Sequence, residues 1–149
     1  ALAKAAQLKV AYAAAPFIAE TTLALLPQID LLAVNEGEAR ALGDELGVDP
    51  VAIPVPHLLI TKGAKGSVFI ANGKSHRQSA FKVTPVDTTG AGDTFLGAFL
   101  AHFTKDEDAK TALRFAAAAS AIQVTREGAA PAIPQEEEVL QFMKEARTV

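Results

Sequence analysis

Cysteine is absent from the 149 residues, so neither a disulfide nor a thiolate-bound metal can be built, and a cytoplasmic setting is the default expectation. An excess of basic charge is absent as well. The formal net charge is −3, whereas phosphate backbones select strongly positive surfaces, so nucleic acid is not an expected partner. No apolar run reaches the ~18 residues that a membrane-crossing helix needs, so no membrane partner is expected either. Nor does the start read as a secretory leader, because Lys4 is soon followed by Gln7 and Lys9 rather than by an apolar core. Three histidines, His57, His76 and His102, are spaced in a way that suits no metal site, and none is given chemistry.

What is present reads as one globular domain with a real core: 50% of residues are hydrophobic and 21% charged. Leu8–Ala14, "IDLLAV" at 29–34 and "HLLIT" at 57–61 read as strands, the last almost wholly apolar as a buried parallel strand would be. Between them Phe17–Leu26 and Glu36–Leu46 read as helices, the second with Ala39, Leu42 and Leu46 on one face. "SVFIA" at 67–71 turns back through Asn72-Gly73, a strong hairpin signal, into an alternating strand at 76–83. Two Ala-rich helices are expected at 91–104 and 106–125, and a last one near 135–146, beyond the loop 127–134. Prolines 50, 54 and 56 exclude a regular helix over 47–57. The expected fold is therefore α/β, a mostly parallel sheet layered with helices and carrying one antiparallel hairpin.

The stretch "TPVDTTGAGDTFLGAFLA" at 84–101 is richer than a turn requires. Gly90, Ala91 and Gly92 stand between a strand and a helix, where glycines let the backbone curl and successive N–H groups converge. Unpaired amides and the positive end of the helix dipole favour an anion there. Asp93 follows at once, placed to accept a proton from a hydroxyl attacking a bound phosphoryl group. A plain helix start with an acidic first turn accounts for the same residues. Phe95 replaces the third glycine of a dinucleotide fingerprint, and Asp93 rather than lysine follows Gly92, so neither that fingerprint nor a Walker A loop is present at this junction. Asn35 and Glu38 have the spacing of a reciprocal cap at a helix start. Thr61, Gly63 and Gly66 lie in the turn after a buried strand, and Lys62 and Lys65 read there as solvated.

"DTTGAGDTF" at 87–95 matches the second signature of the ribokinase-like (PfkB) carbohydrate kinases. In the same order "LLAVNEGEARAL" resembles their Asn-x-x-Glu segment and "LLITKGAKGSVFI" their nucleotide-binding strand and turn. "RFAAAASAIQVTREGAAPAIP" resembles their C-terminal helix and loop, nearest the ribokinase branch. The resemblance implies an ATP-dependent sugar kinase with Asp93 as general base and Gly90, Ala91 and Gly92 around the transferred phosphate. It implies that Asn35 and Glu38 hold Mg²⁺ and phosphates through water, and that Thr61, Gly63 and Gly66 contact nucleotide. It further implies a K⁺ site using Asp87, the Thr89 carbonyl and the Gly128 carbonyl. Ala132 stands where a serine usually adds an oxygen. Alanine fills 116–119 throughout, so any purine contact there would be apolar.

The family's sugar-binding Asp, Gly-Gly turn and lid strands find no match here, and the chain opens on "ALAKAAQLKVAYAAAP", with Ala for Asn in an Asn-x-x-Pro-like turn. The expectation is the C-terminal, nucleotide-side half of such a kinase, inactive by itself, with a homodimer formed through the missing lid. The alternative is a nucleotide-binding module without catalysis.

Overall fold

A computed structural model describes residues 2–106 and 108–146. Its elements run α1 (Leu2–Ala5), β1 (Ala11–Ala13), α2 (Ala19–Leu25), β2 (Leu31–Asn35), α3 (Glu36–Leu46), β3 (His57–Thr61), β4 (Ser67–Ala71), β5 (Lys74–Gln78), α4 (Ala91–Asp106), α5 (Ala109–Gln123) and α6 (Glu136–Glu145). The sheet order is β1-β2-β3-β4-β5. β1 pairs in parallel with β2, Ala11 opposite Leu31, and β2 with β3, Leu31 opposite His57 and Asn35 opposite Thr61. The chain is α/β, as expected. Among the described residues no helix is long and apolar enough to cross a membrane.

Two compact units divide it, one of residues up to 62 with 68–76, the other of 63–67 with those from 77 on. In the first, Leu32, Val34, Leu58 and Ile60 lie at alternate strand positions and pack with Ala39 and Leu42 of α3 and Leu26 beyond α2. The intervening Leu31 and Leu59 are buried as well, so β2 and β3 are apolar on both faces, as strands of a parallel sheet are. α3 has the expected bounds because both ends are signalled. Asn35 and Glu38 form a reciprocal capping box, and Gly47 closes the helix in the left-handed region at φ +66°.

Three expectations shift. β1 is shorter than 8–14, because the Asp30 side chain intervenes ahead of it: Val10 N–H donates to Asp30 Oδ2 at 2.8 Å. β5 begins sooner and stops at Gln78 rather than running over 76–83. Asn72 and Gly73, at φ +51° and +71°, make a two-residue turn that starts pairing at once. Phe81, beyond the strand, instead joins the cluster around α5 and α6, its ring 5.2 Å from that of Phe142. Gly73-Lys74-Ser75 therefore leads from a hairpin turn into a strand, not into a helix, and is no phosphate loop of the Walker kind. The second long helix spans Ala109–Gln123, and residue 107 of its expected range lies outside the described residues. Pro50–Ala52 forms only a short 3-10 turn, in keeping with the prolines around it.

In the second unit α4 and α5 form a helical hairpin. Phe99 on α4 is fully buried, and α5 carries Ala112, Ala116 and Ala119 on a stripe whose small side chains allow close approach. α6 covers α5 through Val139 and Phe142. Arg126 Nη2 donates to Glu138 Oε1 at 2.6 Å, tying the loop after α5 to α6; that bond, with the Gln135 amide, holds the Glu138 carboxyl below its usual range.

Gly66 is the turn glycine that the fold itself demands. At φ +94° a Cβ there would stand 2.0 Å from Gln78 O and 2.9 Å from Ser79 Cα, whereas at Gly73 nothing lies within 4 Å. Gly66→Ala should therefore cost more than ~3 kcal/mol, against roughly 1–2 for Gly73→Ala, which meets only the left-handed penalty. Urea unfolding of the two variants checks this, and equal losses would contradict it.

Candidate functional site

In the first unit the sheet's carboxyl end brings three expected residues together. The register sets Asn35, last in β2, beside Thr61, last in β3, and α3 starts at that edge. Loops at the carboxyl ends of parallel strands are where open α/β sheets build sites. Glu38 N–H donates to Asn35 Oδ1 at 2.9 Å and Asn35 N–H to Glu38 Oε2 at 2.7 Å. The capping role is thus present in full. Lys62 Nζ, half-buried rather than freely solvated, lies 3.6 Å from Glu36 Oε1 on the same edge.

The other expected residues lie in the second unit. Gly63 opens a short 3-10 turn that ends at Lys65, and Gly66 N–H donates back to Gly63 O at 3.0 Å. Residues 86–93 form a separate construction, anchored on the C-terminal end of α5. The last carbonyls of a helix lack internal donors, and here Val124 O accepts from Val86 N–H at 2.7 Å and Asp87 N–H at 3.2 Å. Gln123 Nε2 donates to Thr89 O at 2.6 Å, and Ser120 Oγ donates to Ala91 O at 3.2 Å. Asp87 closes the assembly, Oδ1 accepting from Thr89 N–H and Oδ2 from Gly128 N–H, each at 2.9 Å.

Those bonds to Thr89, first, and to Gly128 hold the Asp87 carboxyl below the ordinary aspartate range. A carboxylate accepting backbone N–H groups resists protonation. Because the folded-state value lies below the unfolded one, ionised Asp87 favours the folded turn at every pH above the ordinary value of about 3.9, and that contribution is lost as pH falls through the folded value. The Thr89 carbonyl expected at a cation site is already an acceptor for Gln123, with its second lone pair still to use. Ala132 is buried and adds no oxygen.

Of Gly90 and Gly92 only the first bends the chain. Gly90 takes φ +76°, and a Cβ there would come 3.2 Å from Gln123 Nε2 and 3.3 Å from Ala129 Cβ. Gly92 lies inside α4 with helical backbone, and a Cβ on it would meet nothing within 4 Å, so the protein has no steric need for glycine there. Ala91 N–H donates to Thr88 O and Thr94 N–H to Gly90 O. The amides of Gly90, Gly92 and Asp93 bond no group among the described residues. Asp93 is exposed in the first turn of α4, next to those open donors.

Reading the sequence does not single out Gln123 and Ser120. The available signal is their place as polar residues continuing an alanine stripe, at the end of α5 that a short helical hairpin returns to the start of α4. His57 stacks on Phe69, and His102 lies against Phe115 with Glu136 3.8 Å away. Among the described residues no group of three or more His, Cys, Asp or Glu could hold a metal ion directly.

Comparison with known proteins gives the family. Residues 1–136 match the pfkB family carbohydrate kinases. The chain is 38% identical over 132 residues to the ribokinase of Haemophilus influenzae, covering 82% of this chain and 43% of that protein. It is 37% identical over 140 residues to fructokinase-1 of Zea mays, covering 83% and 42%. The structure of Arabidopsis thaliana ribokinase complexed with ribose and ATP superposes with a TM-score of 0.77 at 31% identity, over 95% of this chain and 49% of that one. The chain thus spans less than half the length of these curated relatives. With that match covering residues 1–136, the chain belongs to the pfkB family of carbohydrate kinases.

Proposed function

We propose that this chain is the nucleotide-side, phosphoryl-transfer part of an ATP-dependent sugar kinase. One observation carries the proposal: open amides at Gly90, Gly92 and Asp93 stand beside an exposed carboxylate, on a turn fastened to α5 by side chains and backbone alike. Donors fixed before the ligand arrives stabilise charge without reorganising when it develops. A γ-phosphoryl group with its oxygens on these amides is open to in-line attack by a sugar hydroxyl. Asp93 takes the hydroxyl proton as the new O–P bond forms, and the bond from the γ-phosphorus to its bridging oxygen breaks to release ADP.

Asn35 and Glu38 suit magnesium in a restricted sense. One carboxylate and one amide make no protein cage, but Mg²⁺ keeps most of its waters and is held by few carboxylates plus substrate phosphates. When bound, the ion supplies charge neutralisation for the transferred group. Thr61, Gly63 and Gly66 are assigned to the nucleotide, Gly66 having its conformational reason besides. Asp87, Thr89 and Gly128 are assigned to K⁺, which their oxygen donors suit. The second reading, a nucleotide-binding module without catalysis of its own, is motivated by these residues holding no match to the family's sugar-binding Asp, Gly-Gly turn and lid strands. Turnover by the isolated chain, set against turnover by a longer protein containing it, decides between the two.

Asp93→Asn keeps the shape and removes the proton acceptor. In the complete kinase kcat should fall by ~10²–10⁴ while ATP affinity changes little; a variant keeping more than about half of the wild-type turnover would overturn the assignment. For the cation, activity should be higher in K⁺ than in Na⁺, and Ala132→Ser, which restores a hydroxyl, should lower the K⁺ concentration needed. Identical rates in potassium, sodium and tetramethylammonium buffers would remove the cation from the account.

A further inference from the structure

Gln123 is fully buried at the end of a stripe otherwise made of alanine. Its Nε2 donates to Thr89 O at 2.6 Å, yet its Oε1 is buried with no hydrogen-bond partner. The orientation of the amide is not arbitrary, since turning it over would set two acceptors, Oε1 and Thr89 O, against each other. A half-satisfied primary amide is a poor choice for packing two helices, where an apolar residue of the same size would bury no unpaired side-chain atom. The fold gives up something by keeping glutamine here, and what it obtains is a grip on one carbonyl of the 87–93 turn.

That grip has a directional consequence. The peptide unit joining Thr89 to Gly90 is planar and trans, so its C=O and the N–H of Gly90 point in opposite directions. Holding Thr89 O toward α5 therefore aims the Gly90 N–H away from α5, and that N–H bonds no group among the described residues. Without the hold the plane is free to turn, because glycine on its C-terminal side accepts a wide range of φ. Thr89 N–H is fixed separately by Asp87 Oδ1, and Ala91 O by Ser120. Gln123 is the group that sets the plane between them.

We propose that Gln123 is a positioning residue that locks the Thr89–Gly90 peptide with the Gly90 amide facing the bound phosphoryl group. The inference rests on the reading of this turn as the phosphoryl site, but its structural half stands apart from nucleotide.

Gln123→Met keeps the volume and removes both the donor and the unpaired oxygen, and Thr89 is exposed, so its carbonyl reaches water once the plane turns and the thermal midpoint should stay near that of the wild type. In that variant the Gly90 amide resonance should move and broaden as the plane turns, whereas the wild-type chain should show slow exchange of the Gln123 side-chain N–H protons and a coupling between Nε2 and the Thr89 carbonyl carbon. Calorimetry with Mg²⁺ and ATP should show affinity reduced by about 10-fold or more, as for a lost hydrogen bond to a charged group, with ADP affinity changed less than ~2-fold; simple loosening of the fold would weaken both alike. An unchanged Gly90 resonance, or wild-type ATP affinity in the variant, would overturn the proposal. If the wild-type chain bound neither nucleotide, the function proposed above would fail, while the Gly90 resonance would still decide the role of Gln123. If Gln123→Met did not fold, rapid exchange of the wild-type side-chain protons would be enough to overturn it.

Discussion

The Asp87 carboxylate is the joint on which the turn before α4 depends. Its two oxygens accept from Thr89 N–H and Gly128 N–H, residues far apart in the chain, and so bind the turn before α4 to the loop after α5. An ionised acceptor makes stronger bonds to backbone amides than a neutral one, and those bonds in turn keep the group ionised. Val124 O completes the joint by taking the Val86 and Asp87 amides. Ser120, Gln123 and Val124 at the end of α5 thus hold the turn before α4. The end of one helix, otherwise a set of unsatisfied carbonyls, becomes the base on which the N-terminus of the other is aimed.

From this follows a division of labour between glycines that look alike in the sequence. Gly90 is required by its backbone and by the closeness of Gln123 and Ala129. Gly66 is required by the strand end packed against it. Gly92 is required by neither, and under the proposed function its bare backbone at the opening of α4 leaves room for a ligand. The same contrast separates the two acids: Asp87 is committed to holding the turn, while Asp93 stands exposed in the first turn of the helix it opens.

Much of this was legible in the residues. α3 could be bounded at both ends because its capping pair and its terminal glycine are local signals, and the Asn72-Gly73 hairpin for the same reason. The start of β1 and the end of β5 could not, because they are set by partners distant in sequence: Asp30 meeting the Val10 amide, and Phe81 leaving the strand for the cluster around Phe142. The proposal that 87–93 binds an anion starts from its glycines and acid, and family resemblance sharpens it. Gln123 was hidden because nothing local marks it. Its meaning comes from the return of one helix along another, which places residue 123 against residue 89.

The central claim is that the open amides at the start of α4 receive phosphoryl oxygens. Amide hydrogen exchange of the chain with Mg²⁺ and ATP, compared with adenosine, tests it most directly. The account predicts slowed exchange at Gly90, Gly92 and Asp93 with ATP and none there with adenosine. Protection confined to other segments, with these amides exchanging as in the free chain, would contradict it.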